Sequence, residues 1–385
     1  MIANNRLHMA NLLDDRMRRV ASPDAPSKKN RDVTPIKTFI VEAVLPEDAE
    51  PQNARRFIDT VFPRLSGKHF GAMTLHPAKD DSVVTVQTIV DEDPITAYLD
   101  FSNPRFWLLH SMSDSDSLDR LVSHWINDLP ELDRAWFPVG LLNLYSLKGK
   151  LRGIGLDYSN KWYQEAKYAA DVERGDPSSY NESVFKMQLR SRQAGRVLKT
   201  MQSEHGEPHS ARLSKVSVEI DGSISDIKYD GKVTGRGKSF THHVATTSSI
   251  LDTYAEQIRL VERNYAIAGV KDGTGITLSG SPITFKLPTP IEDLKVFCDA
   301  MFSASEPFRL WGDPVRVSDR LYRIHGLDLH SARTLAFEVS PTFIRVYLPR
   351  GSCGNSVLRL YTNLQARYDA LVTAVSNGGE SVFGF

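Results

Sequence analysis

Two similar stretches of sequence decide the fold of this chain: TAYLDFS at residues 96–102 and TLAFEVS at residues 334–340. In both, apolar residues occupy every second position, as in a β-strand with one buried face. The stretches lie 238 residues apart, and a second matched pair, Asp59 with Asp299, is separated by 240 residues. A nearly constant offset predicts that the chain contains two copies of one module.

The same order of elements surrounds both stretches. Each copy is predicted to open with a strand and a helix that reads F-x-D-x-x-F, and to continue with four strands and a closing helix. This order places both helices on one face of an antiparallel sheet and leaves the other face open. It resembles the order in each half of a TATA-binding-protein-type saddle, in topology only, because no sequence motif of that family is present.

The remaining segments divide the chain into four parts. Residues 1–35 are predicted to form one docked helix and an exposed tether, because proline and polar residues fill the end of this segment. The first module covers residues 36–129, a middle α+β domain covers 130–272, and the second module covers 273–385. The predicted fold class is therefore α+β, with two related sheet-and-helix modules flanking a middle domain.

Composition narrows the class of protein. The 385 residues include 47 Lys or Arg and 47 Asp or Glu, so no net charge draws the whole chain to nucleic acid or membrane. No apolar run reaches the ~20 residues of a membrane span. Two cysteines are too few for a disulfide framework or a four-cysteine zinc site. These features predict a cytoplasmic protein without a membrane segment, and they point to no cofactor or metal.

Charge is unevenly distributed along the chain. Residues 91–133 contain ten acids and two arginines, whereas residues 186–238 contain eleven basic and six acidic residues. The sharpest basic feature is KMQLRSRQAGRVLK at residues 186–199. If this segment is helical, Arg192, Arg196 and Lys199 share one side, at a spacing suited to phosphates along a groove. A solvated helix face is the alternative explanation.

The second module adds aromatic and cationic residues on one predicted face. Residues 343–348 alternate so that Phe343, Arg345 and Tyr347 share the face opposite the aliphatic side chains. Such a mixture suits stacking on bases and contact with phosphates, and it also suits a protein partner. The predicted nucleic-acid-binding residues are Arg190, Arg192, Arg196, Lys199, Arg309, Trp311, Arg323, Arg345 and Tyr347.

Two short motifs and the two cysteines suggest ligand binding or reactivity, but we predict a structural role for each of them. GKVTGRGKS at residues 231–239 lacks the glycine-to-lysine spacing of a phosphate-binding loop and is predicted to be a hairpin turn. HGEPH at residues 205–209 is predicted to be a polar loop, since glycine and proline disfavour a zinc-binding helix there. Cys298 is predicted to lie in the core, and Cys353 in a loop before a helix.

Asp157, Glu165 and Lys167 loosely match the acidic and lysine residues of metal-dependent nucleases. Residues 161–173 are predicted to be helical, and two residues along a helix turn a side chain by about 200°. We therefore expect these three side chains not to form a metal site.

The sequence favours a protein that binds DNA, RNA or a nucleoprotein partner and has no catalysis of its own. Two alternatives stay open. One is a nuclease-type hydrolase with a divalent ion, and the other is a scaffold subunit of a complex whose sheets bind only protein.

Overall fold

The computed structural model describes residues 1–20, 35–45, 51–65, 67, 69–79, 82–174, 184–191, 193–197, 200, 212–272 and 275–385. These residues form two compact units. Unit 1 consists of Met1–Ala135, Lys148–Lys150 and Ser217–Leu251, and unit 2 of Trp136–Leu147, Leu151–Val216 and Asp252–Phe385. Residues 130–272, predicted as a middle domain, contribute to both units.

Unit 1 contains an antiparallel sheet. Its strands are β1 (Ile36–Ala43), β2 (Thr74–Pro77), β3 (Val83–Val90), β4 (Asp93–Asp100), β5 (Phe106–Ser111), β6 (Leu132–Arg134), β10 (Ser223–Lys228) and β11 (Lys232–Arg236). They pair in the order β2-β3-β4-β5-β1-β11-β10, with β6 beside β1. Gly231, with a φ of 78°, lies in the turn between β10 and β11, so the glycine-rich motif belongs to a hairpin as predicted.

Two helices of unit 1 pack on one face of this sheet. They are α2 (Pro51–Val61), which a 3₁₀ turn at Phe62–Arg64 extends, and α3 (Ser115–Asp128). Phe62 packs edge-on against Trp125 with ring centroids 4.7 Å apart, and both join Leu99 and Trp107 in the core.

The other face of the unit 1 sheet is covered, so the prediction of an open face is wrong for the first module. The helix α1 (Arg6–Val20) buries Met9, Leu13 and Met17 in a cluster that includes Tyr98 of β4. Arg6 also forms a 2.9 Å ion pair with Asp100 of the same strand. The sequence predicts the docked helix, but the apolar stripe of one helix does not show which face of a sheet the helix covers.

Unit 2 contains a second set of strands. They are β8 (Val184–Arg190), β12 (Ala266–Asp272), β13 (Gly275–Ser279), β14 (Ile283–Lys286), β15 (Leu310–Gly312), β16 (Val315–Ser318), β17 (Leu321–Asp328), β18 (Arg333–Ser340), β19 (Phe343–Pro349) and β20 (Thr373–Val375). The strands β7 (Lys150–Ser159) and β9 (Leu213–Ile220) have residues in both units. The main sheet runs β13-β12-β19-β18-β17-β15, with β14 between β19 and β20 and with β16 beside β17.

The helices of unit 2 include α4 (Val139–Ser146), α5 (Lys161–Glu173), α7 (Leu294–Met301) and α8 (Gly354–Arg367). The helix α6 (Phe240–Asn264) begins in unit 1 and belongs to unit 2 from Asp252 on. The segment β14-α7-β15 to β19-α8 repeats the element order of β1-α2-β2 to β5-α3, with β16 as an additional strand. From the shared F-x-D-x-x-F pattern we predict that Phe57 and Phe62 occupy the places of Phe297 and Phe302.

The architecture is α+β, with helices and mostly antiparallel strands throughout the described ranges. Within those ranges, no helix is both long enough and apolar enough to cross a membrane.

Candidate nucleic-acid interface

One face of the unit 2 sheet carries accessible aromatic and charged side chains. Along β19, Ile344, Val346 and Leu348 are buried while the side chains between them are partly accessible, which confirms the predicted alternation. Strands β17 and β18 alternate in the same way. We call the accessible surface the open face, and its residues are Trp311, Arg323, His325, Glu338, Phe343, Arg345 and Tyr347.

The opposite side of the same strands forms the core of unit 2. Phe337 of β18 packs edge-on against Phe302 at the end of α7, with ring centroids 4.9 Å apart. On β14, Phe285 packs against Tyr361 of α8 at 5.6 Å. The helices therefore lie on one side of the sheet, and the open face lies on the other.

Three charged residues form a row across the middle of the open face. Strand register places Arg323 opposite Glu338 and Glu338 opposite Arg345. Nη2 of Arg323 lies 3.0 Å from Oε1 of Glu338, and Nη1 of Arg345 lies 3.1 Å from Oε2. The hydroxyl of Tyr347 donates a hydrogen bond of 3.1 Å to Oε2 as well. The cross-strand neighbours of Glu338 therefore converge on its carboxylate.

The row carries a positive charge. Burial raises the pKa of Glu338, but the hydrogen bonds from Tyr347 and Arg323 and the charge of Arg345 outweigh burial and hold that pKa below its ordinary range. Glu338 is therefore ionised at neutral pH. One carboxylate faces two guanidinium groups, and Lys286 adds an exposed cation on the neighbouring strand β14.

Trp311 is the most exposed aromatic residue of the open face. Its side chain is 57% exposed on β15, whereas its neighbour Leu310 is buried. Register aligns Trp311 with Leu327, so the indole lies on the same face as the charged row. Two apolar residues of β16 are also accessible: Val315 is 59% exposed and Val317 is 50% exposed. Exposed apolar side chains grouped in this way mark interaction surfaces.

Arg309, one of the predicted nucleic-acid-binding residues, does not belong to the open face. The residue is buried and has a φ of 53°, in the left-handed region. It precedes β15, so strand alternation does not extend to it. The remaining four predicted residues of the second module, Trp311, Arg323, Arg345 and Tyr347, do share one face.

The basic segment begins as a strand, and its later part contains helical residues. Lys186 and Arg190 lie in β8, which pairs with β7, whereas the described residues 194–197 and 200 are helical. The alternation of apolar residues in VFKMQLR, at residues 184–190, is the signal for a strand. Arg190 and Arg196 are exposed, whereas Arg192 and Lys199 lie outside the described residues, as does the HGEPH motif.

The three residues of the nuclease alternative lie in two different elements, and two of them form ion pairs with further residues. Glu165 and Lys167 both lie in α5, as predicted, and Asp157 lies in β7. Lys167 forms a 2.5 Å ion pair with Glu292, and Glu165 lies 3.5 Å from Lys161. Each of these helical side chains is therefore oriented by its own neighbour.

Unit 1 contains a cleft that sequence reasoning missed. It encloses about 680 Å³ beside α3 and the turn between β3 and β4. Nδ1 of His69 lies 2.8 Å from Asp91, which also contacts Arg120, and the hydrogen bond from His69 helps to lower the pKa of Asp91. Phe70 stacks on His124 at 4.0 Å. These residues are distant in sequence and follow no spacing rule, so the sequence offers no signal for the cleft.

Comparison with known proteins places the chain in a family. A family model described as MJECL33-like protein matches residues 1–381, and the chain therefore belongs to the MJECL33-like family. One relative, the uncharacterized protein MJECL33 of Methanocaldococcus jannaschii, is 28% identical over 320 residues, which cover 74% of this chain and 77% of the relative. Neither description states an activity, so function has to be argued from the site.

Proposed function

We propose that the open face of unit 2 binds single-stranded nucleic acid and that the protein acts by binding rather than by catalysis. The observation that carries this proposal is the exposed indole of Trp311 on the same face as Arg323, Arg345 and Tyr347. Cations alone would suit any anion. Aromatic rings beside them suit an anion that also carries flat bases.

The arrangement supports separate roles for the aromatic and the cationic residues of the open face. Trp311 at the edge and Tyr347 on β19 offer ring surfaces on which bases stack. On the same face, the guanidinium groups of Arg323 and Arg345 offer hydrogen-bond donors for phosphate oxygens. Because every base has a π-face, a site of this kind tolerates many sequences.

The basic segment offers a second region of contact. Arg190 and Arg196 are exposed cations, and together with Arg192 and Lys199 they would add neutralised phosphates without adding sequence preference. The acidic stretch at residues 91–133 belongs to unit 1 and would repel the same ligand. We therefore assign binding to unit 2.

Binding of fluorescent single-stranded DNA and RNA oligonucleotides, followed by anisotropy, tests the proposal. The wild-type protein should bind at low salt, with an affinity that falls as salt rises. Trp311→Ala should weaken binding by roughly fivefold to a hundredfold, the loss of one base stack, with little change in the salt dependence.

Tyr168→Ala is the matched control. Tyr168 is an exposed aromatic residue of α5, and α5 packs against Phe297 of α7 on the helix side of the sheet. This variant should bind like wild type. If wild-type protein binds neither DNA nor RNA at low salt, the proposal is wrong, and a protein partner becomes the explanation of the open face.

A further inference from the structure

Four donors from three residues surround the carboxylate of Glu338. Nε and Nη2 of Arg323 lie 3.1 and 3.0 Å from Oε1. Nη1 of Arg345 and the hydroxyl of Tyr347 both lie 3.1 Å from Oε2. The carboxylate therefore occupies a cradle whose size and donors suit one small oxyanion.

The cradle remains accessible to a ligand. The side chain of Glu338 is 14% exposed, but Arg323 is 60% and Arg345 is 33% exposed. Arginines whose guanidinium groups reach solvent can turn from a carboxylate to a phosphate, since both anions accept paired N–H donors in the same geometry. The exchange is favoured by the exposure of the guanidinium groups, because ion pairs that reach solvent are weaker than buried ones.

Neighbouring contacts help to keep Arg345 in place during such an exchange. Nε of Arg345 donates to Thr284 at 3.3 Å, and its guanidinium lies 5.1 Å from the centre of the Phe343 ring. These contacts do not involve Glu338. The position of Arg345 is therefore fixed in part by Thr284 of β14 and by Phe343 of its own strand.

We infer that Glu338 occupies the place of a backbone phosphate in the ligand-free protein and competes with the nucleic acid for Arg323 and Arg345. This inference rests on the proposed function and assigns a regulatory residue to the same site. Glu338 keeps both guanidinium groups on the open face, and it lowers the affinity for any polyanion that must displace it. Removal of its charge should therefore strengthen binding.

Glu338→Gln tests the inference, with Glu165→Gln as the control. Both substitutions remove one negative charge from unit 2, but Glu165 lies on α5, away from the open face. Glu338→Gln should bind a single-stranded oligonucleotide roughly twofold to tenfold more tightly than wild type, with a salt slope steeper by about one. Glu165→Gln should change neither quantity by more than experimental error.

A second variant separates competition from a structural role. Adding Arg323→Gln and Arg345→Gln to Glu338→Gln should abolish the gain, since the gain depends on the released guanidinium groups. If wild type binds and Glu338→Gln binds equally or more weakly with an unchanged unfolding temperature, the competition is wrong and the proposed function stands. If neither protein binds at low salt, the proposed function fails and the inference fails with it.

Discussion

Asp328 and Arg359 form an ion pair in the interior of unit 2, where their side chains are 0% and 1% exposed. Asp328 ends β17 and Arg359 lies in α8, so the pair joins the sheet to its closing helix. Nε of Arg359 also donates to the carbonyl of Phe308 at 2.8 Å, and Asp328 accepts from the hydroxyl of Ser331 at 2.8 Å. Burial opposes ionisation of Asp328, but Arg359 and the hydrogen bonds outweigh burial, and the pKa of Asp328 lies well below its ordinary value.

Replacement of Arg359 by Leu should strongly destabilise the protein. The substitution leaves the carboxylate of Asp328 buried without its guanidinium, a change that costs about 3–5 kcal/mol. Unfolding in urea measures the loss. Arg263→Leu, which replaces an exposed arginine of α6, is the control and should change the free energy of unfolding by less than about 0.5 kcal/mol. Equal stability of the two variants would contradict the assigned role of the pair.

Sequence patterns predicted the features that depend on alternation within one element. The burial of Ile344 and Val346 followed from a spacing of two, and the helices at α3 and α5 followed from local composition. Contacts between distant elements did not follow. Arg120 and Arg359 are separated by 239 residues, close to the offset between the two copies, yet Arg120 lies at the surface beside Asp91 and Arg359 is buried.

Two features of the predicted site differ from the structure, each for its own physical reason. In the basic segment, charge spacing does not indicate the strand at residues 184–190, whereas the alternation of its apolar residues does. Arg309 is among the predicted binding residues, but β15 begins at Leu310, so the alternation of that strand does not include Arg309. A left-handed residue before a strand breaks the alternation, and single-sequence patterns rarely reveal such a residue.

Two leucines of α1 test whether this helix stabilises unit 1 by covering its sheet. Leu13 is fully buried against the sheet, whereas Leu7 of the same helix is 71% exposed. Leu13→Ala should lower the free energy of unfolding by about 2–5 kcal/mol, and Leu7→Ala should leave it nearly unchanged. Thermal or urea unfolding of both variants checks this. Similar small losses for both would show that α1 does not cover that face.

Two buried histidines of unit 1 predict a dependence of stability on pH. The hydroxyl of Thr38 lies 2.8 Å from Nδ1 of His110 and 2.7 Å from Nε2 of His243. Burial lowers the pKa of each histidine to about 3. Between pH 6.5 and 3 the unfolded chain therefore binds protons that the folded chain excludes. Stability should be complete above about pH 6.5 and should fall at lower pH by up to about 1.4 kcal/mol per pH unit for each histidine.

His243→Gln should reduce this pH dependence, because it removes one of the two titrating groups. The free energy of unfolding at pH 7 and pH 5 measures the effect. His242→Gln, at the exposed neighbouring position, should retain the full wild-type difference between the two pH values. Retention of the full difference in His243→Gln would exclude the buried pair as its source.

The basic segment should contribute to affinity through phosphates alone. Replacement of Arg192, Arg196 and Lys199 together by Gln should lower the slope of log affinity against log salt by roughly two to three. Stacking on Trp311 should be unaffected, so Trp311→Ala should weaken this variant by the same factor as wild type. An unchanged salt slope would place the segment away from the ligand.

Photocrosslinking tests the proposed location of the ligand most directly. Oligonucleotides that carry 4-thiouridine or 4-thiothymidine are bound to the wild-type protein, irradiated and mapped by mass spectrometry of the peptides. The account predicts crosslinks at Trp311, Phe343 or Tyr347 of the open face, and their loss when unmodified oligonucleotide is added in excess. Crosslinks confined to unit 1 or to the helix side of unit 2, or the absence of any crosslink that excess oligonucleotide removes, would contradict it.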